Sequence, residues 1–325
     1  MSKKTGLNAA INIDQAHLPV SVVIGIVKNE AGQFFISRRD ETAHQGGFWE
    51  FAGGKVEHGE TLYAALAREL KEEIGIEMRH ALPLINFRHA YADRIVHLHV
   101  FSVTDFTGEA TSRAGQESAW VSLQELAGYT FPAANRAILT ALNLPPYYAI
   151  LDDSEGNVDE KLAYLLAQNV TLIQARLKQS TFQQAHDFLS KAYPLCRAAN
   201  VTLLVNSGTE NAFDMPSDGI HLTRIHLLES HCRPGNIKWL SASCHNQLEL
   251  EHAQKIGVDF AVLSPVWETP SHPDVSTLGW VGFNELASLY AMPIYALGGV
   301  KKSQLTTAYY AGAQGICGIS TFLAT

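Results

Sequence analysis

Along the first part of the chain, hydrophobic and polar positions alternate with the period of strands. PVSVVIGIVKN (19–29) reads as a strand, Glu30-Ala31-Gly32 supplies a turn, and QFFISRR (33–39) is predicted to return as its hairpin partner. Thr61 to Ile74 breaks that period: it holds no Gly or Pro, is rich in Ala, Leu, Glu and Arg, and is predicted to be helical. Leu62, Leu66, Leu70 and Ile74 form its apolar stripe, and Gly75 stands where a left-handed cap belongs. HALPLINFRHAYADRIVHLHVFSVTDF (80–106) contains two further strand-like runs broken at Ala92-Asp93-Arg94. QESAWVSLQELAGY (116–129) adds a short strand and a helix start, and PAANRAILTALNL (132–144) a closing helix. Residues 1–17 carry no such pattern and read as a frayed terminus.

Pro145-Pro146 opens a different rhythm. YYAIL, VTLIQAR, VTLLVN, DGIHL, IKWLSAS, DFAVLS, PIYALGG and QGICGIS are short apolar runs, most of them separated by stretches such as EKLAYLLAQ and QLELEHAQKIG. Strands alternating with helices in this way predict a compact (β/α)₈ barrel. The chain, 325 residues long, therefore divides into units at 18–144 and 146–325.

Composition narrows the function classes. Hydrophobic residues make up 46% and charged residues 17%, ordinary for globular domains with sizeable cores. No apolar run has the ~18 residues of a membrane span, and MSKKTGLNAAINIDQ has no signal-peptide core. A formal charge of −8 argues against a nucleic-acid polymer as partner, though not against a nucleotide chelated to metal. Cys196, Cys232, Cys244 and Cys317 show no paired spacing and read as reduced thiols of a cytoplasmic protein.

The chemistry concentrates in GGKVEHGETLYAALARELKEEIGI (53–76). From Gly54 it fits G-x5-E-x7-R-E-U-x-E-E-x-G-U, with U aliphatic, at every fixed position: Gly54, Glu60, Arg68, Glu69, Leu70, Glu72, Glu73, Gly75 and Ile76. Glu69, Glu72 and Glu73 are spaced i, i+3, i+4, which puts three carboxylates on adjacent helix positions. Like charges so placed repel, so a cation is the natural counterweight, and oxygen donors suit Mg²⁺, with Mn²⁺ as the alternative. This stretch resembles the Nudix box. The resemblance implies an α/β/α sandwich, with the Gly53 carbonyl, Glu69, Glu72 and Glu73 binding divalent ions. It also implies that Arg68 positions a box glutamate, and that Glu69 or a box neighbour accepts a proton from the attacking water.

ISRRDETAHQGGFWEFAGGK, DRIVHLHVF, GQESAWVSL and FPAANRAIL resemble the MutT branch, which clears oxidised guanine nucleotides. On that resemblance Arg39 would hold a phosphate, His44, Glu50 and Phe51 would line the nucleotide site, and Arg94 would sit beside the base. Asn135 would recognise the purine edge, its amide offering both a donor and an acceptor, or would instead serve as a helix N-cap. The resembled enzymes release a monophosphate and pyrophosphate. They also carry a glutamate where this chain has Ala114.

In the second half, Gln174, Arg176, Lys178, Asn206, His221, Ser243, His245, Thr269 and Ser320 fall at predicted strand ends, where barrels build their active mouths. Gly298-Gly299 and Gly318-Ile319-Ser320 stand where barrels cradle phosphate. IQARLK, VNSG, SASCH, SPVWETP and ALGGV resemble the thiamine phosphate synthase/TenI family. Ser207 and His226 replace that family's metal-binding aspartates, and Thr269-Pro270-Ser271-His272 lacks its lysine. The departures disfavour synthase activity and imply a TenI-like barrel that binds thiazole phosphate or a similar ester. His245 would be its acid/base, or else a solvent-facing loop residue.

The expected activity is metal-dependent hydrolysis of 8-oxo-dGTP. One alternative is a hydrolase acting on a thiamine-pathway or other small diphosphate, and another is a non-catalytic phosphate-ligand sensor.

Overall fold

The structure, a computed structural model, describes residues 19–42, 46–91, 94–112, 115–269 and 275–323. Its first half contains β1 (Val20–Val27), β2 (Phe34–Arg38), β3 (Trp49–Glu50), β4 (Gly53–Lys55), α1 (Leu62–Ile74), β5 (Glu77–Ala90), β6 (Ile95–Thr107), β7 (Ser118–Val121) and α2 (Asn135–Leu142). The strands form a four-stranded sheet in the order β4-β1-β6-β5 and a three-stranded sheet in the order β3-β2-β7.

Alternation along β1 and β6 sorts the core into two layers. Val23, Phe101 and Val103 pack with Leu66, Leu70 and Ile74 of α1, whereas Leu98, Val100, Ile85 and Phe87 pack with Ile138 of α2 and with Phe34 and Ile36. Leu66 and Leu70 are fully buried, each worth about 1.5–3 kcal/mol of transfer free energy. Helix α1 starts where the Thr61 hydroxyl accepts the Ala64 N–H at 3.2 Å and stops at Gly75, whose φ of 77° is left-handed.

The hairpin expected between 19–29 and 33–39 does not form. β1 pairs antiparallel with β4 and parallel with β6, and β2 pairs with β3 and β7. Only a single bridge, Lys28 to Phe34, joins the two runs beside the turn. Both edges of β1 are thus taken by other strands, and the turn carries the chain from one sheet into the other.

All eight apolar runs of the second half become strands of a closed parallel barrel. They are β8 (Tyr147–Asp152), β9 (Leu172–Arg176), β10 (Thr202–Asn206), β11 (Gly219–Leu222), β12 (Trp239–Cys244), β13 (Phe260–Leu263), β14 (Ile294–Ala296) and β15 (Gly315–Gly318). Around them lie α3 (Val158–Ala167), α4 (Phe182–Ala198), α5 (Arg224–Glu229), α6 (Gln247–Lys255), α7 (Gly279–Ala287), α8 (Leu305–Tyr310) and α9 (Ser320–Leu323). Tyr148, Ile150, Leu204, Phe260, Val262, Tyr295 and Cys317 fill the interior, while Ala149, Leu151, Ile173, Val205 and Leu263 face the helices. Strands apolar on both faces are what a covered parallel sheet requires.

The cysteines are free thiols, with Cys196, Cys244 and Cys317 buried and Cys232 exposed. Among the described residues, no helix is long and apolar enough to cross a membrane.

Candidate active site and barrel mouth

Gly54 shows how the acidic box is assembled. A Cβ there would lie 2.3 Å from the Glu69 carboxylate, so glycine lets that carboxylate lie directly on the strand backbone. Gly53 is similarly crowded, since a Cβ would meet the Val23 carbonyl oxygen at 2.1 Å. Its N–H donates to Glu73 Oε2 at 2.9 Å, tying the end of α1 to β4.

Arg68 answers much of the helix's acidity. Its guanidinium donates to Glu60 at 3.0 Å, to Glu69 Oε1 at 2.8 Å, to Glu72 Oε2 at 3.3 Å and to the Lys55 carbonyl at 3.0 Å. The hydrogen bonds to Glu60 and then Glu69 raise its pKa further, and the same Arg68 contact holds Glu60 below the usual carboxylate range. Part of the expected counterweight is therefore internal.

Glu73 lies outside the Arg68 cluster. Desolvation of its carboxyl, reinforced by the negative charges of Glu50 and Glu69, pushes it up to about 7 despite the Gly53 hydrogen bond. The residue as a whole is nonetheless exposed. Glu50 is also raised, burial outweighing its ion pair with Arg39. Two neighbouring carboxyls whose pKa values are both raised mark a site short of positive charge.

Next to this cluster is a cleft of about 180 Å³. Val20, Val22, Ile24, Val96 and Leu98 from β1 and β6 form an apolar wall, and Arg39, Glu50, Phe51, Gly53, Lys55, Tyr91, Arg94, Pro132, Ala134 and Asn135 complete the lining. Six sequence-derived candidates thus meet in one cavity: Arg39, Glu50, Phe51, Gly53, Arg94 and Asn135. Phe51 stacks on Phe131, centroids 5.2 Å apart. Asn135 is not a cap. Ala134 holds the N-cap position with no side-chain cap bond, and Asn135 is the first helical residue of α2, 7% exposed. His44 and Ala114 lie outside the described residues. Sequence reading missed Tyr91 and Lys55 as lining residues. The strand alternation of β1 and β6 could have supplied the apolar wall.

Among the described residues no three acidic, His or Cys side chains are grouped as a preformed metal cage. Glu69 and Glu72 are turned to Arg68, and Glu73 to Gly53. The donors are of the right kind and under-neutralised, which fits a divalent ion whose shell is completed by substrate phosphates.

In the barrel, Asn206, Gln174, Tyr148, His221, Ser241 and Ser243 form one hydrogen-bonded chain across five strands. Asn206 Nδ2 donates to Gln174 Oε1 (2.6 Å), Gln174 Nε2 to the Tyr148 hydroxyl (3.1 Å), and that hydroxyl meets His221 Nδ1 (3.1 Å). His221 also meets the Ser241 hydroxyl at Nδ1 (2.7 Å) and the Ser243 hydroxyl at Nε2 (2.8 Å). Burial, with a smaller push from Lys178, takes His221 down to about 3, so its imidazole is neutral. Arg176 is paired with Asp152.

His245 Nδ1 lies 3.0 Å from the Ser264 carbonyl and 3.2 Å from the Ser264 hydroxyl, and its backbone N–H donates to Glu249 at 2.7 Å. Gly298 and Gly299 have φ of 96° and 63°, and a Cβ on Gly299 would lie 2.7 Å from Trp267 Cβ. Those glycines therefore serve a close backbone approach to the segment after β13. Ser320 is exposed at the start of α9, and Thr269 lies at the described end of that same segment. His272 falls outside the described residues. Ser207 and His226 bond to each other, Oγ to Nδ1 at 2.8 Å, and Ser207 Oγ also accepts the Thr223 N–H.

A model of the thiamine monophosphate synthase family matches residues 147–322, and a NUDIX domain model matches residues 23–141. The 8-oxo-dGTP diphosphatase of Escherichia coli K12 is 37% identical over 123 residues, covering 38% of this chain and 95% of that protein. The CTP pyrophosphohydrolase of the same organism is 36% identical over 122 residues, covering 38% and 90%. A protein of Aquifex aeolicus VF5, provisionally named thiamine-phosphate synthase 2, is 31% identical over 185 residues, covering 56% and 100%.

Proposed function

The chain belongs to two families at once, the Nudix hydrolases over its first half and the thiamine monophosphate synthase/TenI proteins over its second, and we propose that it is a nucleoside triphosphate pyrophosphohydrolase whose preferred substrate is 8-oxo-dGTP. The observation that carries the substrate class is the cleft itself. It brings an arginine, an apolar wall and a buried asparagine together with Gly53, whose N–H holds Glu73 of the acidic box. We take 18–144 as the hydrolase unit, 146–325 as the barrel unit, and the cytoplasm as their compartment.

The Gly53 carbonyl, Glu69, Glu72 and Glu73 would hold Mg²⁺, or Mn²⁺ in its place. A bound ion of that kind neutralises phosphate charge and lowers the pKa of a water. The chain's own groups do the rest. Arg39 binds a phosphate of the triphosphate tail, exchanging its Glu50 contact for the substrate. Arg68 keeps Glu69 and Glu72 oriented, and a box carboxylate, Glu69 or its neighbour, receives the proton. Phe51 and the wall from β1 and β6 exclude water around the base, and Asn135 offers its amide to the purine edge. The products are 8-oxo-dGMP and pyrophosphate.

A second reading, hydrolysis of CTP, is favoured by the nearly equal identity to the CTP pyrophosphohydrolase. For the barrel, the Ser207–His226 pair supports a site for a monophosphate ester such as thiazole phosphate rather than for a metal-bound diphosphate. His245 is its candidate acid/base.

The test is kcat/KM of the full chain with Mg²⁺ on 8-oxo-dGTP, dGTP, CTP, thiamine diphosphate and ADP-ribose, for wild type and Asn135→Ala. The expected result is a preference for 8-oxo-dGTP that Asn135→Ala erodes more than it lowers dGTP turnover. A preference for CTP or thiamine diphosphate would overturn the substrate assignment. Equal loss on both guanine nucleotides would remove Asn135 from base recognition.

A further inference from the structure

The two halves share helix α2. Asn135 at its first turn lines the nucleotide cleft, and its other end runs into the barrel at the side where the strands begin. Leu144, two residues beyond the helix, is buried among Tyr148, Phe260, Tyr295 and Cys317 of the barrel interior. Gln314, just before β15 and 4% exposed, donates both Nε2 hydrogens to chain ends of this helix, to the Ala141 and Leu144 carbonyls at 3.1 Å each. The Tyr295 hydroxyl donates to the Pro145 carbonyl at 2.6 Å. A helix leaves its last carbonyls unpaired. In α2 the Leu139 carbonyl accepts from the Asn143 side chain, those of Thr140 and Ala141 accept backbone N–H groups of Asn143 and Leu144, and the barrel adds Gln314 as a further donor to Ala141. An eight-residue helix is short enough, at about 12 Å, to fray in isolation and to transmit a displacement from one end to the other.

Resting on the proposed nucleotide reading, we infer that the barrel is a clamp on α2 and that Gln314 is a positioning residue for Asn135: it sets nucleotide affinity and base selectivity without touching substrate. The sheet is held at a second point, where the Arg88 N–H of edge strand β5 donates to the Ser288 carbonyl at 2.9 Å. The docking is therefore built from backbone and helix-end groups of both halves. Gln314 makes no hydrogen bond through its own Oε1. The two bonds it gives to α2 are therefore the whole of what its buried amide contributes.

The test is Gln314→Met in the full chain, a change that keeps volume, removes both donors and removes the unpaired acceptor, so that folding is preserved. Amide hydrogen exchange across residues 135–144, measured without substrate, is expected to speed up while the barrel strands keep their protection. For the nucleotides that the wild type hydrolyses, KM is expected to rise roughly three- to tenfold with kcat within about twofold, and purine selectivity to shrink. Tyr295→Phe, which removes one bond at the same junction, should move both readouts the same way by less. Unchanged exchange in both variants overturns the clamp, and faster exchange with unchanged KM overturns the link from α2 to the nucleotide. Absence of turnover on every nucleotide would instead sink the proposed hydrolase reading, and the exchange measurement would still decide the clamp.

Discussion

Gly54 carries the most at the residue scale. The box pattern makes it visible in the sequence, but only the fold shows that its missing side chain is where Glu69 rests. The group in the way of a Cβ is the far end of a flexible side chain, so Gly54→Ala should be accommodated by swinging Glu69 off the strand. The expected outcome is an unfolding midpoint near wild type with turnover lower by about 10². A large loss of stability with turnover kept in the folded fraction would place the glycine's role in the backbone instead. Asn135 is a case where residue chemistry alone left two roles open. Ala134, not Asn135, holds the N-cap position, which removes the cap role and leaves the proposed contact with the purine edge to the Asn135→Ala test.

Elements were legible where their partners are forced by chain order. The eight barrel strands follow from their apolar runs, because a helix between successive parallel strands leaves few other neighbours to choose. The failed hairpin shows the opposite case. Alternation in 19–29 and 33–39 specifies strands but not which edges they meet, and β4 and β6 compete successfully for β1.

The His221 network was legible only in part: Gln174, Asn206, His221 and Ser243 stood out as polar strand-end residues, but Tyr148, Ser241 and the bonds that join strands distant in sequence did not. It has a consequence in acid. The buried imidazole of His221 stays neutral to about 3, and that of His99, buried beside His97, to about 4. Both would take a proton near 6.5 once unfolded. Between those values the unfolded chain binds more protons, so the contribution is whole above about 6.5 and lost as pH falls. Stability should fall by about 1.4 kcal/mol per pH unit for each such group below pH 6. His221→Asn should flatten the pH dependence of the urea midpoint between pH 6.5 and 5 by one group's share. Parallel slopes for variant and wild type would show that His221 is not held neutral.

At the scale of the whole molecule, two families meet in one chain, and Gln314 of the barrel bonds to the end of the hydrolase's last helix, the contact on which the proposed clamp rests. The central claim remains that the acidic box performs metal-assisted pyrophosphohydrolysis in the cleft beside it, with Glu73 among its essential carboxylates. Its most direct measurement is pyrophosphate release from 8-oxo-dGTP in Mg²⁺ by the full chain, wild type beside Glu73→Gln. The account predicts 8-oxo-dGMP and pyrophosphate in equal amounts from the wild type, and a rate lower by about 10² or more in a variant that remains folded. A wild-type protein that releases no pyrophosphate, or a Glu73→Gln protein that releases it at the wild-type rate, would contradict it.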